Sequence, residues 1–228
     1  MRLENVVASL VLESIGVSIA SCGSSATRVS PKLDRATAKA IGLTANDLPG
    51  WKQTPNSSSS SDQAMASRLA TCAGAKDPNV VDVVDVQSPN FDQGQTEVSS
   101  DVTMVKAHAD GVSDLETLQG SKLDACVQEI AVPELKSELP TGATLSNLQI
   151  NAIHPTGVPK DSFALRLGAT VAIAQEGSVS ISSDEIGFLS GRAEIELQAS
   201  QVQGGAPSET LEQRVLSILV TRAQRHPS

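Results

Sequence analysis

The sequence predicts an α+β fold: a single domain with an antiparallel β-sheet and helices packed against it. Three observations lead there. Two regions rich in β-branched residues, 80–105 and 144–202, alternate apolar and polar side chains at the two-residue period of strands. Segments with apolar residues three and four apart lie before, between and after those regions. Strands, two helices, four or so strands and a final helix in that order describe an α+β domain. The chain has 228 residues, 39% of them hydrophobic, enough for one such domain plus tails.

Each element can be justified in turn. "KLDRATAKAIGL" (32–43) reads as a short helix, followed by "LTANDLPGWKQTP", where Pro49-Gly50 is turn chemistry. Trp51, the one tryptophan, is expected to plug the end of a core poor in aromatics. "NSSSSSD" (56–62) is a low-complexity loop, and Ser61 or Asp62 then caps a helix, "QAMASRLATCAG", that closes at Gly74. "VVDVVDVQS" and "TEVSSDVTMVKA" read as strands around a turn or short loop, "SPNFDQG". In "HADGVSDLETLQG" Val112, Leu115 and Leu118 recur at three-residue steps. In "SKLDACVQEIAVPELKSEL" Leu123, Cys126, Val127 and Ile130 hold helical spacing, and Pro133 should end or kink that helix. "TLSNLQINAI", "SFALRLGATVAIA", "SVSISS" and "RAEIELQASQV" are strands, with hairpins at "EGS" (176–178) and "SGR" (190–192). Phe163, Leu165 and Leu167 alternate, as do Ala193, Ile195 and Leu197, which predicts one buried and one wet face. "APSETLEQRVLSILVTRAQR" is the closing helix, with Leu211, Val215, Ile218 and Leu219 inward and Arg222 and Arg225 suiting its C-terminal end. The expected core contains Val83, Val102, Leu118, Cys126, Leu165, Ile195 and Leu219.

The N-terminus reads as an address. "VVASLVLESIGVSIAS" (6–21) is an apolar run shorter than the ~20 residues of a spanning helix, and Glu13 interrupts it. With Arg2 ahead and small residues behind, it has the parts of a secretory signal, expected over 1–21. Ile19-Ala20-Ser21-Cys22 resembles a bacterial lipobox, whose small residues enter a peptidase cleft and whose thiol accepts a diacylglycerol. Cys22 is therefore the expected lipidation site, residues 22–32 a flexible tether, and 33–225 the extracytoplasmic domain. The partner this implies is the membrane, through a lipid anchor on its extracytoplasmic face. Two cysteines remain, Cys72 and Cys126, and in an oxidising compartment an even remainder suggests a disulfide. Two separate buried thiols are the alternative.

Chemistry is sparse. No nucleophile elbow, zinc-protease motif, P-loop or dinucleotide fingerprint occurs, so neither a catalytic centre nor a cofactor is expected. His108, His154 and His226 read as isolated imidazoles at a helix start, a strand-end loop and the tail. Asp82, Asp85 and Asp92 lack the glycine and spacing of a calcium loop and read as solvated carboxylates, so no metal site is expected. The formal net charge of −9 and an aromatic content of 2% count against nucleic acid, which needs clustered cations and stacking faces. The acidity reads as a solubility device.

The order of these pieces carries a resemblance. A lipobox, then "ANDLPGWKQTP", "CAG", "SPNFDQGQTEVSSDVTMV" and "LQGSKLDACVQEI" resembles a group of secreted actinobacterial lipoproteins and sensor-type domains, akin to the extracellular domain of mycobacterial serine/threonine kinases. It spans about 40–225 and rests on order and spacing. The resemblance implies an antiparallel sheet with flanking helices and a paired Cys72 and Cys126. The kinase sensor domains carry a second disulfide, which this chain lacks, and no site residue or signalling role carries over. The expectation is a non-enzymatic, membrane-anchored domain that binds a small ligand, a lipid or an unidentified envelope protein, its ligand-binding residues unknown. A lipid carrier with an apolar cavity between sheet and helices is the alternative. The two differ in whether several hundred Å³ lie open there.

Overall fold

The structure, a computed structural model, describes residues 30–56, 60–173 and 177–227. Its strands are β1 (Lys52–Thr54), β2 (Asp82–Gln87), β3 (Asn90–Gln93), β4 (Thr96–Val105), β5 (Ala143–Ala152), β6 (Ser162–Ile173), β7 (Gly177–Ser190) and β8 (Ala193–Val202). They form one antiparallel sheet of order β1-β3-β4-β8-β7-β6-β5, with β2 also on β4. The helices are α1 (Pro31–Ile41), α2 (Ser60–Ala73), the single turn α3 (Pro78–Val81), α4 (His108–Leu118), α5 (Lys122–Cys126), α6 (Val132–Glu138) and α7 (Glu209–Arg225). The sequence expectation of an α+β domain with an antiparallel sheet holds.

Both sheet faces are covered. On the first, α1 and α7 pack Ile41, Val215 and Leu219 against Val102, Ile195, Leu197 and Ile186. Each fully buried side chain of this size contributes about 1.5–3 kcal/mol. Arg192, in the β7–β8 turn, pairs with Asp34 of α1 at 2.5 Å and donates to the Val105 carbonyl at 2.9 Å, fixing α1 to the ends of the central strands. On the second face, α2, α4 and α5 pack Met65, Leu69, Leu115, Leu118, Leu123 and Cys126 against Phe163, Leu167 and Leu189.

Several local expectations need correction. Val80 and Val81 belong to α3, not to a strand, because Asp77 caps the turn by accepting from the Asn79 N–H at 3.0 Å and Pro78 starts it. The "SPNFDQG" loop contains β3, and "KQT" forms β1. The helix expected to start at Ser61 or Asp62 starts at Ser60, and "SVSISS" continues to Ser190. Residues 57–59 of the serine-rich loop and Glu176 of "EGS" lie outside the described residues, as does residue 1–29 with its signal and Cys22. Residues 31–32, expected as tether, open α1. Pro133 does not end the helical run. A π-helical turn, Val127–Ala131, sits just before it and lets the chain run on into α6. Val83 and Leu165 are half-buried beside the core, while Val102, Leu118, Cys126, Ile195 and Leu219 lie within it. In α7 the innermost residues are Glu212, Val215, Leu216, Leu219 and Ala223, with Leu211 and Ile218 at the margin. His226 is the C-cap of that helix.

Candidate functional site

A cleft of about 580 Å³ opens on the second face, between the turn joining α4 to α5, the loop after β5 and the start of β6. Its walls include Leu118, Leu123, Ile150, Val158, Phe163 and Leu165, with His154, Asp124 and Ser121 as polar groups. The volume is within the range of small-molecule sites, about 300–1,000 Å³. The loop over it is held on several sides. Gln119 of the α4–α5 turn donates to the Ser162 carbonyl at 2.8 Å, and the Ser162 hydroxyl donates to the Pro159 carbonyl at 2.6 Å. Thr156 donates to Glu209 of α7 at 3.0 Å, and Gln213 donates to the same carboxylate at 3.0 Å. A mouth fixed this way costs little ordering when a ligand enters.

Behind the cleft, under α4, is a cavity of about 30 Å³ lined by Asp101, Thr103, Asp114, Leu115, Glu194 and Glu196 among others. It has room for a group the size of one water molecule. The register explains its acidity. Glu196 of β8 pairs with Asp101 of β4, and Glu194 with Thr103, so these side chains share one sheet face. The expected wet face is therefore not wet here: α4 roofs it. Gly111 permits this approach, because a Cβ there would lie 2.5 Å from a Leu189 methyl and 3.0 Å from the Glu194 carboxylate. At Gly187 a Cβ would lie 2.1 Å from the Phe163 ring, so Phe163 rests on bare backbone.

The carboxyl groups on this face pair with one another. Asp114 is 2% exposed, and its side-chain hydrogen-bond partner is the Glu194 carboxyl. Burial pushes it up to about 8; the charges of Asp82 and Asp110 add to this, while the Glu194 carboxyl beside it and Lys76 act against it. Burial also raises Glu194 well above the usual range, with Asp114 next to it as the second cause. Asp101 is raised by burial and by the Asp85 carboxyl within hydrogen-bonding reach, and Glu196 by burial and by Glu185. Glu185 is pushed up to about 8 by burial. Asp82, expected to be solvated, is pushed up to about 8 by burial and then by Glu194 and Asp85. On the opposite face burial and the neighbouring Asp184 raise Glu212 to about 8, while Asp184 accepts from Arg166 Nε at 2.6 Å. The acidity thus lies partly inside the fold, correcting its reading as a surface device.

The residues expected from sequence are dispersed. Cys72 and Cys126 are disulfide-bonded, with Cα atoms 5.8 Å apart, and tie α2 to the helix that forms one cleft wall. His154 is on the cleft rim, while His108 Nδ1 lies 2.6 Å from the Gly191 carbonyl, far along the chain from either. Trp51 is half-buried against the first-face cluster, as a plug would be. Among the described residues no three His, Cys, Asp or Glu side chains are grouped to hold a metal ion, and no helix is long and apolar enough to cross a membrane. Sequence reasoning missed the cleft and the carboxyl row.

Fold and site together define a disulfide-bridged α+β domain with a ligand-sized cleft on one helical face. Among solved structures, the extracellular domain of PknH from Mycobacterium tuberculosis is similar at 12% identity and a TM-score of 0.38, covering 88% of this chain and 100% of that one. LpqN of Mycobacterium tuberculosis, described as involved in cell envelope biogenesis, is similar at 14% identity and a TM-score of 0.27, covering 78% and 76%. Likeness this distant says nothing about activity. No protein-family model and no curated protein matches the chain.

Proposed function

We propose that this chain is a non-enzymatic extracytoplasmic domain, anchored to the membrane through a lipid on Cys22, that binds a small apolar ligand or the acyl part of a lipid. The observation that carries the reading is the cleft of about 580 Å³, walled by Leu118, Leu123, Ile150 and Leu165 under a loop held at both ends. It favours the lipid-carrying form of the reading over docking of an envelope protein, since a concave apolar site takes a small ligand. The disulfide supports an oxidising compartment, where such bridges persist.

The test is fluorescence of a dansyl-labelled fatty acid with the purified protein, followed by displacement with decanol. Saturable binding that decanol displaces, and that Ile150→Trp weakens by filling the cleft, is the expected result. Absence of binding to wild type, or undiminished binding to a folded Ile150→Trp protein, overturns it. Anchoring is tested separately: mass analysis of the native protein should find the mature chain starting at a diacylglyceryl-modified Cys22, and a free Cys22 thiol behind an intact N-terminus refutes it.

A further inference from the structure

The exposed large apolar side chains among the described residues are Leu33, Val80 and Val112, and all three belong to segments that meet at one end of the sheet. That end is built around Arg192 of the β7–β8 turn. Its side chain pairs with Asp34, next to Leu33 in the first turn of α1, and its carbonyl accepts from the Val105 N–H at 3.0 Å, where β4 stops. Lys106, the next residue, donates its backbone N–H to the Val81 carbonyl at 3.1 Å and its ammonium to that of Val80, which brings α3 to the same place. Helix α4 starts there too: His108 Nδ1 lies 2.6 Å from the Gly191 carbonyl, and Val112 follows one turn later. Leu33 is 67% exposed and Val80 59%.

The charge of this end is opposite to that of the chain. In segments 30–35, 78–81, 105–112 and 190–192 the carboxyls, Asp34 and Asp110, are buried, whereas Lys32, Arg35 and Lys106 are exposed. Asp77, which borders α3, accepts from Ser67 and Asn79. The whole chain nevertheless carries a formal net charge of −9. Exposed apolar residues scattered singly need no account, but these gather among cations.

The chain that leads to Cys22 also departs from here. Ser30 caps α1, and residues 23–30 separate that helix from Cys22. Fully extended, such a segment reaches at most about 29 Å. The length of β4 puts the opposite end of the sheet about 30 Å further off. The loop over the cleft joins the near end, since the Leu189 N–H donates to the Asp161 carbonyl at 3.1 Å. We propose that this end of the domain rests on an anionic phospholipid surface, with Lys32, Arg35 and Lys106 against the headgroups and Leu33 and Val80 entering the interface. This rests on the anchored reading above and names the surface that the anchor holds to the membrane. Each cation close to an anionic bilayer strengthens the contact about fivefold, and apolar side chains add to it by leaving water.

The experiment takes the chain from Cys22 on, which keeps every described element, and couples the Cys22 thiol to a maleimide lipid in vesicles of phosphatidylglycerol and phosphatidylcholine with brominated acyl chains as quencher. Trp51, the one native tryptophan, lies beside β1 at the opposite end of the sheet. Its emission should stay unquenched, whereas Leu33→Trp and Val80→Trp, both at exposed positions, should each lose emission and shift it to the blue. Lys32→Glu combined with Arg35→Glu should lower the surface-bound population about 25-fold and restore the emission. Lys52→Glu on β1 should leave the quenching as it was. Quenching at neither new tryptophan, or quenching that the double variant does not diminish, overturns the proposal. So does equal quenching in vesicles of phosphatidylcholine alone, since the cations would then have no role. Self-association in solution that Leu33→Asp abolishes, without quenching on vesicles, would show a second copy covering this end and likewise overturns it. A free Cys22 thiol in the native protein would remove the anchored reading and leave this measurement standing, because the coupling here is chemical.

Discussion

Raising the pH from 5 to 8 should destabilise this domain, against the usual behaviour of an acidic protein whose carboxylates are solvated. Asp82, Asp114, Glu185 and Glu212 hold their protons in the fold up to about 8, while their ordinary values are 3.8 for Asp and 4.5 for Glu. Burial is the first cause at all four. Between those limits the folded chain binds more protons than the unfolded chain, so stability falls as pH rises. It is highest below the unfolded values and stops falling above about 8. Each group that stays protonated only in the fold gives a slope of about 1.4 kcal/mol per pH unit. Asp114 faces Glu194, so that pair titrates as a unit and one proton is the fair count for it. Even one such proton, lost over two pH units, removes about 3 kcal/mol from a total of about 5–15 kcal/mol. Asp47 and Asp77 are lowered, Asp47 by Arg222 and Thr44 against its burial and Asp77 first by Ser67, and their effect of opposite sign falls below their ordinary value of 3.8, outside this window. Urea unfolding at pH 5, 6, 7 and 8 reads the slope, and Asp114→Asn should flatten it. Stability that is level or rises from pH 5 to 8 would refute the buried, protonated row.

Two further outcomes follow from the same packing. Reducing the Cys72–Cys126 bridge, or replacing both with serine, frees a loop of sequence separation 54 and should cost about 4 kcal/mol, read as a drop in the urea midpoint; an unchanged midpoint would contradict the bridge. Gly187→Ala places a methyl 2.1 Å from the Phe163 ring and should cost about 1–3 kcal/mol by thermal unfolding while altering dansyl fatty acid binding, because Phe163 must leave its seat; unaltered stability and binding would show that the ring does not rest there.

Much of the scaffold was legible because it rests on local pattern. The alternation of Ala193, Ile195 and Leu197 places them on the first-face core, and Val215 and Leu219 at helical spacing lie against it. Gly74 follows the last residue of α2, as a helix-ending glycine should. The errors fall where two local signals compete. Val80 and Val81 are β-branched, but Asp77-Pro78 is a cap followed by a helix-opening proline, and the cap prevails. At Pro133 the missing N–H costs a hydrogen bond in an α-helix, yet the π turn before it shifts the ladder so that the helix continues. The cleft was not legible, since it forms between a helix turn, a strand end and a loop far apart in sequence.

The carboxyl row shows why charge totals mislead. Alternation in "AEIELQ" states that β8 has two different faces; it does not state that the polar one meets water. That depends on whether another element covers it, which is a tertiary fact. Gly111, with Asp110 before it and Asp114 one turn on, is the trace left in the sequence: a small residue flanked by acids on the face that α4 turns to the sheet. Burying carboxyl groups costs stability that an apolar face would not, about 1–3 kcal/mol for each group whose hydrogen bonds are not fully replaced. A sheet selected for stability alone would place valine or isoleucine at 194 and 196, as it does at 195 and 202 with Ile195 and Val202. The protons that these carboxyls hold let them donate to one another, Asp114 with Glu194 and Glu196 with Glu185, which offsets part of that cost.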